Sequence, residues 1–154
     1  MNRLAATGTF AMLLALPFAA SPQGFAPAKG ADALRYRQST MFMMSQHAGQ
    51  LAAMVKGEKP WDTQTFVHNA ELVEMFSKMP WDSFWVPGSD QGKNRMKPEI
   101  FTEKDKFLSN AKHLQDETAK LVSVAKTGDE GAMKTQFGAV GKACKNCHDS
   151  YRKE

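Results

Sequence analysis

Cysteine is scarce in this chain of 154 residues: there are two, Cys144 and Cys147, both near the end. Disulfide-held scaffolds use more cysteines and spread them apart, so a disulfide framework is excluded. Long runs of lysine or arginine are missing as well, and the formal net charge is only +4. Proteins that track nucleic acid cluster their cations, so nucleic acid is not an expected partner. No stretch alternates polar and apolar residues with a period of two, which argues against strands. There is no internal repeat and no low-complexity tract. Beyond residue 28 no segment is apolar enough to span a bilayer.

What is present begins with an export signature. Met1-Asn2-Arg3 carries a positive charge, and Leu4 to Ala20 runs without one. Small residues follow at Ala19-Ala20-Ser21 and Ala26-Pro27-Ala28. That order reads as a signal peptide within residues 1–28, cleaved somewhere in 20–28. The competing reading is a membrane anchor, which needs about 18 to 25 apolar residues. Thr7, Gly8, Thr9 and Pro17 interrupt a run that is barely long enough. The mature chain, 29–154, is then one domain with room for a core. In a bacterial host its compartment is the periplasm.

Four amphipathic segments fill that domain. The first starts near Ala31-Asp32 and ends at Lys56-Gly57. Leu34, Arg37, Met41, Met44, Ala48, Leu51 and Val55 recur on it at steps of three and four, which is one helical face. The second is capped by Asp62 or Thr63 and runs to about Lys78, with Phe66, Ala70, Val73 and Phe76 inward. The third runs from after Pro98 to Thr127-Gly128 with Ile100, Phe107, Ala111, Leu114, Leu121 and Ala125 on its stripe. The fourth is capped by Asp129, and its stripe is Met133, Phe137, Val140, Cys144, Cys147 and Tyr151. Short turns after the first and third predict an antiparallel four-helix bundle, all-α in class. The longer connection, Met79 to Lys97, holds Pro80-Trp81 and Phe84-Trp85-Val86-Pro87-Gly88, aromatics that should fold back onto something apolar.

The chemistry lies in Ala143-Cys144-Lys145-Asn146-Cys147-His148. C-x-x-C-H is the attachment signature of haem c. Two thiols three residues apart on a helix reach the two vinyl groups of a porphyrin edge and become thioethers, while the adjacent imidazole reaches the iron. Two other chemistries use this pattern. A dithiol oxidoreductase places C-x-x-C at a helix N-terminus, where the dipole lowers the thiol pKa; this motif sits at a C-terminal end. A zinc site needs four ligands, and His47, His68 and His113 lie on other helices, off or at the edge of the inward stripes. They read as surface or boundary residues.

Any protein ligand on the second iron face must come from upstream. Met41 and Met44 face inward on the first helix, and a thioether can be a sixth ligand; methionine is equally a common filler of bundle cores. Arg37 occupies an inward slot four residues before Met41. A guanidinium on an apolar stripe calls for an anionic partner such as a haem propionate, unless it snorkels to water from the bundle end.

Three stretches make the chain resemble the class II c-type cytochromes, the cytochrome c′ and cytochrome c-556 group. They are Tyr36-Arg37-Gln38-Ser39-Thr40-Met41 with Val55-Lys56-Gly57-Glu58, Met79-Pro80-Trp81 through Phe84 with Lys97-Pro98-Glu99-Ile100-Phe101, and Phe137 through Arg152 around the C-x-x-C-H motif. The likeness spans roughly Asp32 to Lys153. It implies one haem c held by Cys144 and Cys147, with His148 on iron at the solvent-facing side. It implies Arg37 and Gln38 near a propionate, Arg152 beside the proximal histidine, and Trp81, Phe84 and Phe137 lining the pocket. It also implies a homodimer formed through the first two helices.

The resemblance leaves two readings of Met41. As an iron ligand it makes a six-coordinate, single-electron carrier serving periplasmic redox partners. As a wall residue it leaves five-coordinate iron that binds nitric oxide or carbon monoxide. An enzyme such as a peroxidase would want a distal histidine, and the inward stripes offer none.

Overall fold

The structure is a computed structural model that describes residues 25–154. The expected signal peptide lies outside the described residues up to position 24. Five α-helices follow one another: α1 (Gly30–Val55), α2 (Thr63–Ser77), α3 (Glu99–Thr102), α4 (Lys104–Ala125) and α5 (Glu130–Tyr151). A short 3-10 helix, Trp81–Trp85, sits in the long connection. Among the described residues, no helix is long and apolar enough to cross a membrane.

The helix starts follow from side-chain chemistry. A helix leaves its first backbone N–H groups without partners, and an Asp oxygen at the cap accepts from one of them. Asp62 Oδ1 accepts from the Thr65 N–H at 2.6 Å, and Asp129 Oδ1 from the Ala132 N–H at 2.9 Å. Gly30, at the start of α1, is dictated by space. A Cβ there would lie 2.5 Å from the Pro87 carbonyl oxygen, so only glycine lets the connection pass.

The third expected helix is not continuous. It breaks at Glu103, whose backbone (φ −117°, ψ 40°) is not helical, into α3 and α4. The break has local compensation. The Glu103 N–H still reaches the Glu99 carbonyl at 2.8 Å, while its own carbonyl accepts from the Phe107 N–H. Its side chain leaves the helix surface and accepts a hydrogen bond from the Tyr151 hydroxyl at 2.8 Å.

Cross-helix contacts fix the directions. Ser77 on α2 meets Thr118 on α4, whereas Glu71, further back on α2, meets Lys126, further on along α4. Glu117 on α4 meets Gln136 on α5, and Glu103 meets Tyr151. Both pairs of helices are therefore antiparallel. The up-down order brings the first half of α1 and the last half of α5 to one end of the bundle. Three seams are packed: α1 on α2, α2 on α4 and α4 on α5. The fourth, α1 on α5, is not closed by close packing.

The inward faces shift slightly from the expected stripes. On α1 the buried residues are Ala33, Arg37, Thr40, Met44, Leu51 and Met54, with Leu34, Met41, Ala48 and Val55 only half-buried. On α2 Phe76 is half-buried and Ser77 takes the interior position. On α5 Met133, Val140, Ala143 and Tyr151 are buried, while Phe137, Cys144 and Cys147 are half-buried. A side chain beside the loosely packed seam keeps part of its surface uncovered, which accounts for Met41, Phe137 and both cysteines.

The aromatics of the connection do fold back. Trp81 and Phe84 are buried, and the Trp81 Nε1–H donates to the Ser77 carbonyl at 2.6 Å. Phe107 is their hub. Its ring centroid lies 5.9 Å from Trp81, 4.9 Å from Phe84, 6.1 Å from Trp85 and 5.3 Å from Tyr151, all edge-on. Edge-to-face pairs add to what burial alone contributes. The Phe107→Ala variant is expected to lose roughly 3–5 kcal/mol of stability, because four rings cannot collapse into the space together. Urea unfolding of the purified protein checks this, and a loss below about 1 kcal/mol would remove Phe107 from that role.

Candidate functional site

The site is built around the last turns of α5. Cys144 and Cys147 lie three residues apart on one helical face and are half-buried against the core. They are free thiols, not a disulfide. Burial pushes both thiol pKa values up, that of Cys147 to about 11 with the neighbouring Cys144 adding to the effect. A thiolate is the reactive form in thiol–disulfide exchange, so this environment opposes the dithiol chemistry that C-x-x-C otherwise allows.

His148 follows at once on an exposed part of the helix. Loss of solvent around its ring lowers its pKa, the Arg152 and Arg95 cations act in the same direction, and Asp149 opposes them. Near neutral pH the imidazole is held neutral, the form that binds a metal. No group of three or more His, Cys, Asp or Glu side chains gathers as a metal cage among the described residues. The zinc alternative thus lacks its ligands. His47 Nδ1–H donates to Asn69 Oδ1 at 2.9 Å and the ring stacks on Phe76, while His68 and His113 are exposed.

Facing α5 across the loosely packed seam is the first half of α1. Met41 is half-buried there and packs on the core cluster. Arg37 is only 3 % exposed, so it does not snorkel to water. Its guanidinium donates to the carbonyls of Ser83 and Ser89 and lies over the Phe84 ring at 4.7 Å. Burial lowers its pKa and Asp90 partly restores it. The protein partners of the buried cation are therefore two backbone carbonyls and an aromatic face. Gln38, next along, is exposed and donates to the Lys93 carbonyl at 3.0 Å. Together they fasten the connection that carries Trp81 and Phe84 onto α1.

Of the expected site residues, the structure brings together Cys144, Cys147, His148 and Arg152 on the end of α5, and Arg37, Gln38 and Met41 on α1. Trp81 and Phe84 lie on the connection, which packs against α1 and whose rings meet Phe107 of α4, and Phe137 lies two turns before Cys144. Two further residues belong to the neighbourhood. Glu103 takes the Tyr151 hydroxyl, and Arg95 stands beside His148 through a ribbon in which Met96 bridges to Arg152. The Glu103 break has no Gly or Pro to mark it, and nothing local ties Arg95 to a residue 53 positions on. A shallow groove at the start of α2 and the end of α4, lined by Val67, His68 and Gly128 among others, lies at the opposite end of the bundle and holds no thiol.

Haem c fits this donor set better than any competitor. It needs two unoxidised thiols at this spacing, a neutral imidazole beside them and apolar surroundings, and all are present.

Comparison with known proteins gives the same direction. The family model for Cytochrome C' matches residues 32–152. Cytochrome c' from Alcaligenes xylosoxydans xylosoxydans is 39% identical over 127 residues, covering 82% of this chain and 98% of that protein. The solved structure of cytochrome c prime from Shewanella frigidimarina superposes with a TM-score of 0.78 at 37% identity, covering 82% of this chain and 98% of that one. A nitric oxide complex of a point mutant of cytochrome c prime from Alcaligenes xylosoxidans superposes with a TM-score of 0.75 at 38% identity, covering 82% of this chain and 98% of that one. With the bundle, the thiol pair and the match over nearly the whole described chain in agreement, the protein belongs to the cytochrome c′ family, whose cofactor is haem c.

Proposed function

We propose that this chain is a periplasmic haem protein that binds nitric oxide or carbon monoxide on the iron face opposite His148. The observation that carries the reading is the pair of free, half-buried thiols beside a neutral imidazole, set at a helix seam that protein packing leaves open. The nitric oxide complexes among its relatives support the choice of ligand.

Haem iron supplies a redox centre and a coordination position for a diatomic gas. The chain's own residues do the rest. Cys144 and Cys147 anchor the group covalently, so it is not lost by dissociation. His148 offers a nitrogen whose protonation is disfavoured by loss of solvent and, after it, by the nearby Arg152 cation. Arg37 spends two of its N–H donors on Ser83 and Ser89 and has others for a propionate; Gln38 stands next to it. Trp81, Phe84 and Phe137 exclude water. Met41 belongs to the apolar wall, where its thioether takes the place of an aliphatic side chain.

Residues 1–28, read as an export signal, assign the protein to the periplasm. Phe42 and Met43 on α1 and Met75 on α2 are exposed apolar side chains, and they support a homodimer through these helices. A second reading rests on Met41 itself, a half-buried thioether on the helix facing the motif. If it ligates iron, the protein is a six-coordinate electron carrier for periplasmic redox partners.

The optical spectrum separates the two. The gas-binding reading expects a broad high-spin spectrum that changes on adding nitric oxide, and Met41→Leu should leave it unaltered. A sharp split alpha/beta pair when reduced, with a near-infrared sulfur-to-iron band when oxidised, both lost in Met41→Leu, would transfer the assignment to the electron carrier. Replacing both anchors, Cys144→Ala with Cys147→Ala, is expected to give mostly haem-free protein; normal haem retention on denaturing gels would contradict the anchoring role. In wild-type protein made without haem attachment, alkylation of Cys147 should keep accelerating with pH until it levels near about 11, since burial favours the protonated thiol. A plateau near pH 8.5, the unperturbed value, would show that the thiol is not shielded.

A further inference from the structure

The surface charges are not evenly paired. Eight lysines form ion pairs with carboxylates among the described residues, and these are spread over α1, α2, α4 and α5. Six other cations, Lys93, Arg95, Lys97, Lys142, Arg152 and Lys153, form none there, and all belong to the end of the molecule that carries His148. Backbone pairing draws four of them together. The Lys97 N–H donates to the Tyr151 carbonyl at 3.0 Å, and the Lys153 N–H to the Arg95 carbonyl at 2.8 Å. Arg95 Nε–H returns a bond to the Lys153 carbonyl at 2.9 Å, and Lys97 Nζ donates to the Asp149 carbonyl at 2.8 Å. These cations thus spend hydrogen bonds on carbonyls and keep their charge.

Helical spacing aligns the rest. At about 100° per residue, Lys142, Lys145 and Asp149 share one exposed face of α5, next to the direction of His148, and Arg152 follows directly after the helix. Lys145 and Asp149 pair with each other and cancel. Glu154 is the other acid of the ribbon, and Asp90 is directed at Arg37. Cations remain in clear excess around the exposed imidazole.

We propose that this basic collar docks the acidic face of a one-electron donor protein, setting it against the His148 edge so that the haem iron is reduced there. The inference rests on the haem reading above and adds where and from what kind of partner the electron arrives. The step is simple: one electron leaves the donor's reduced centre and converts ferric to ferrous iron, and no bond is made or broken. Ferrous iron is the state that binds carbon monoxide, so a reductant is required by that chemistry. A patch of one sign raises encounter rates with an oppositely charged partner and loses the advantage in salt. Lipid headgroups are also anionic, and Phe101, four residues beyond Lys97, is an exposed apolar side chain, so binding to anionic vesicles is the competing outcome of the test.

The test uses the haem-loaded protein and reduced two-iron ferredoxin, an acidic one-electron donor, as probe. Lys142→Glu with Lys153→Glu is compared with Lys59→Glu with Lys126→Glu, an equal charge change at the opposite end. Stopped-flow reduction should slow on the order of tenfold for the collar variant at low salt and little for the other, and the difference should vanish at high ionic strength. Reduction by a neutral hydroquinone should be the same for all. Calorimetric binding of oxidised ferredoxin should weaken only in the collar variant. Equal rates and equal binding in the two variants would overturn the collar. So would collar-dependent binding to phosphatidylserine vesicles without any effect on ferredoxin, which assigns the patch to membranes. A colourless, haem-free wild-type protein would instead bring down the haem reading itself.

Discussion

The placement of the thiol pair depends on how the end of α5 is held. A helix end frays unless something ties it, and this one carries Cys144, Cys147 and His148 within its last eight residues. Tyr151 supplies the tie. Its ring is buried edge-on against Phe107, and its hydroxyl reaches Glu103 at the point where α4 begins. That bond and burial push the Tyr151 pKa up to about 12, so the hydroxyl remains a donor at any ordinary pH. The Lys97 N–H then takes the Tyr151 carbonyl, joining the long connection to the same point. Three contacts from residues 97–107, far from α5 in sequence, thereby fix one residue, and the motif one turn earlier inherits the rigidity.

Arg37 does the corresponding work on the other side of the seam. A buried guanidinium is costly unless its donors are satisfied. Here the carbonyls of Ser83 and Ser89 satisfy two of them, and the Phe84 face covers the rest of the plane. The connection is thus bound to α1 by a charge-assisted fork, and to α4 by the Phe107 hub. Gly30 lets its backbone pass the first turn of α1. A segment without long regular structure becomes a wall because both of its neighbours grip it.

Much of this was legible in the sequence. Caps at Asp62 and Asp129, the 3.6-residue periodicity and the C-x-x-C-H spacing are local signals, and local signals survive without coordinates. The family resemblance carried by Phe137 to Arg152 reached the correct family because those residues are contiguous. What escaped depends on residues far apart. The break at Glu103 coincides with its bond to Tyr151, 48 positions away, and α-helical periodicity continues across it. The partners of Arg37 are carbonyls, which every residue owns and no pattern reveals. The half-burial of Met41, Phe137 and the cysteines reflects how two helices approach, a quantity outside any single helix. Trp81 and Phe84 were readable as apolar lining, but not the ring they share.

The loosely packed seam between α1 and α5 bears on the chronology of assembly. Thioether formation is irreversible, and both sulfurs are half-covered once the four long helices have met. A bulky planar group enters such a crevice most easily while α5 is still free to swing, with the other three helices able to close afterwards around what it carries. Half-covered sulfurs beside an open seam thus favour attachment before α5 takes its final packing over insertion into a closed bundle.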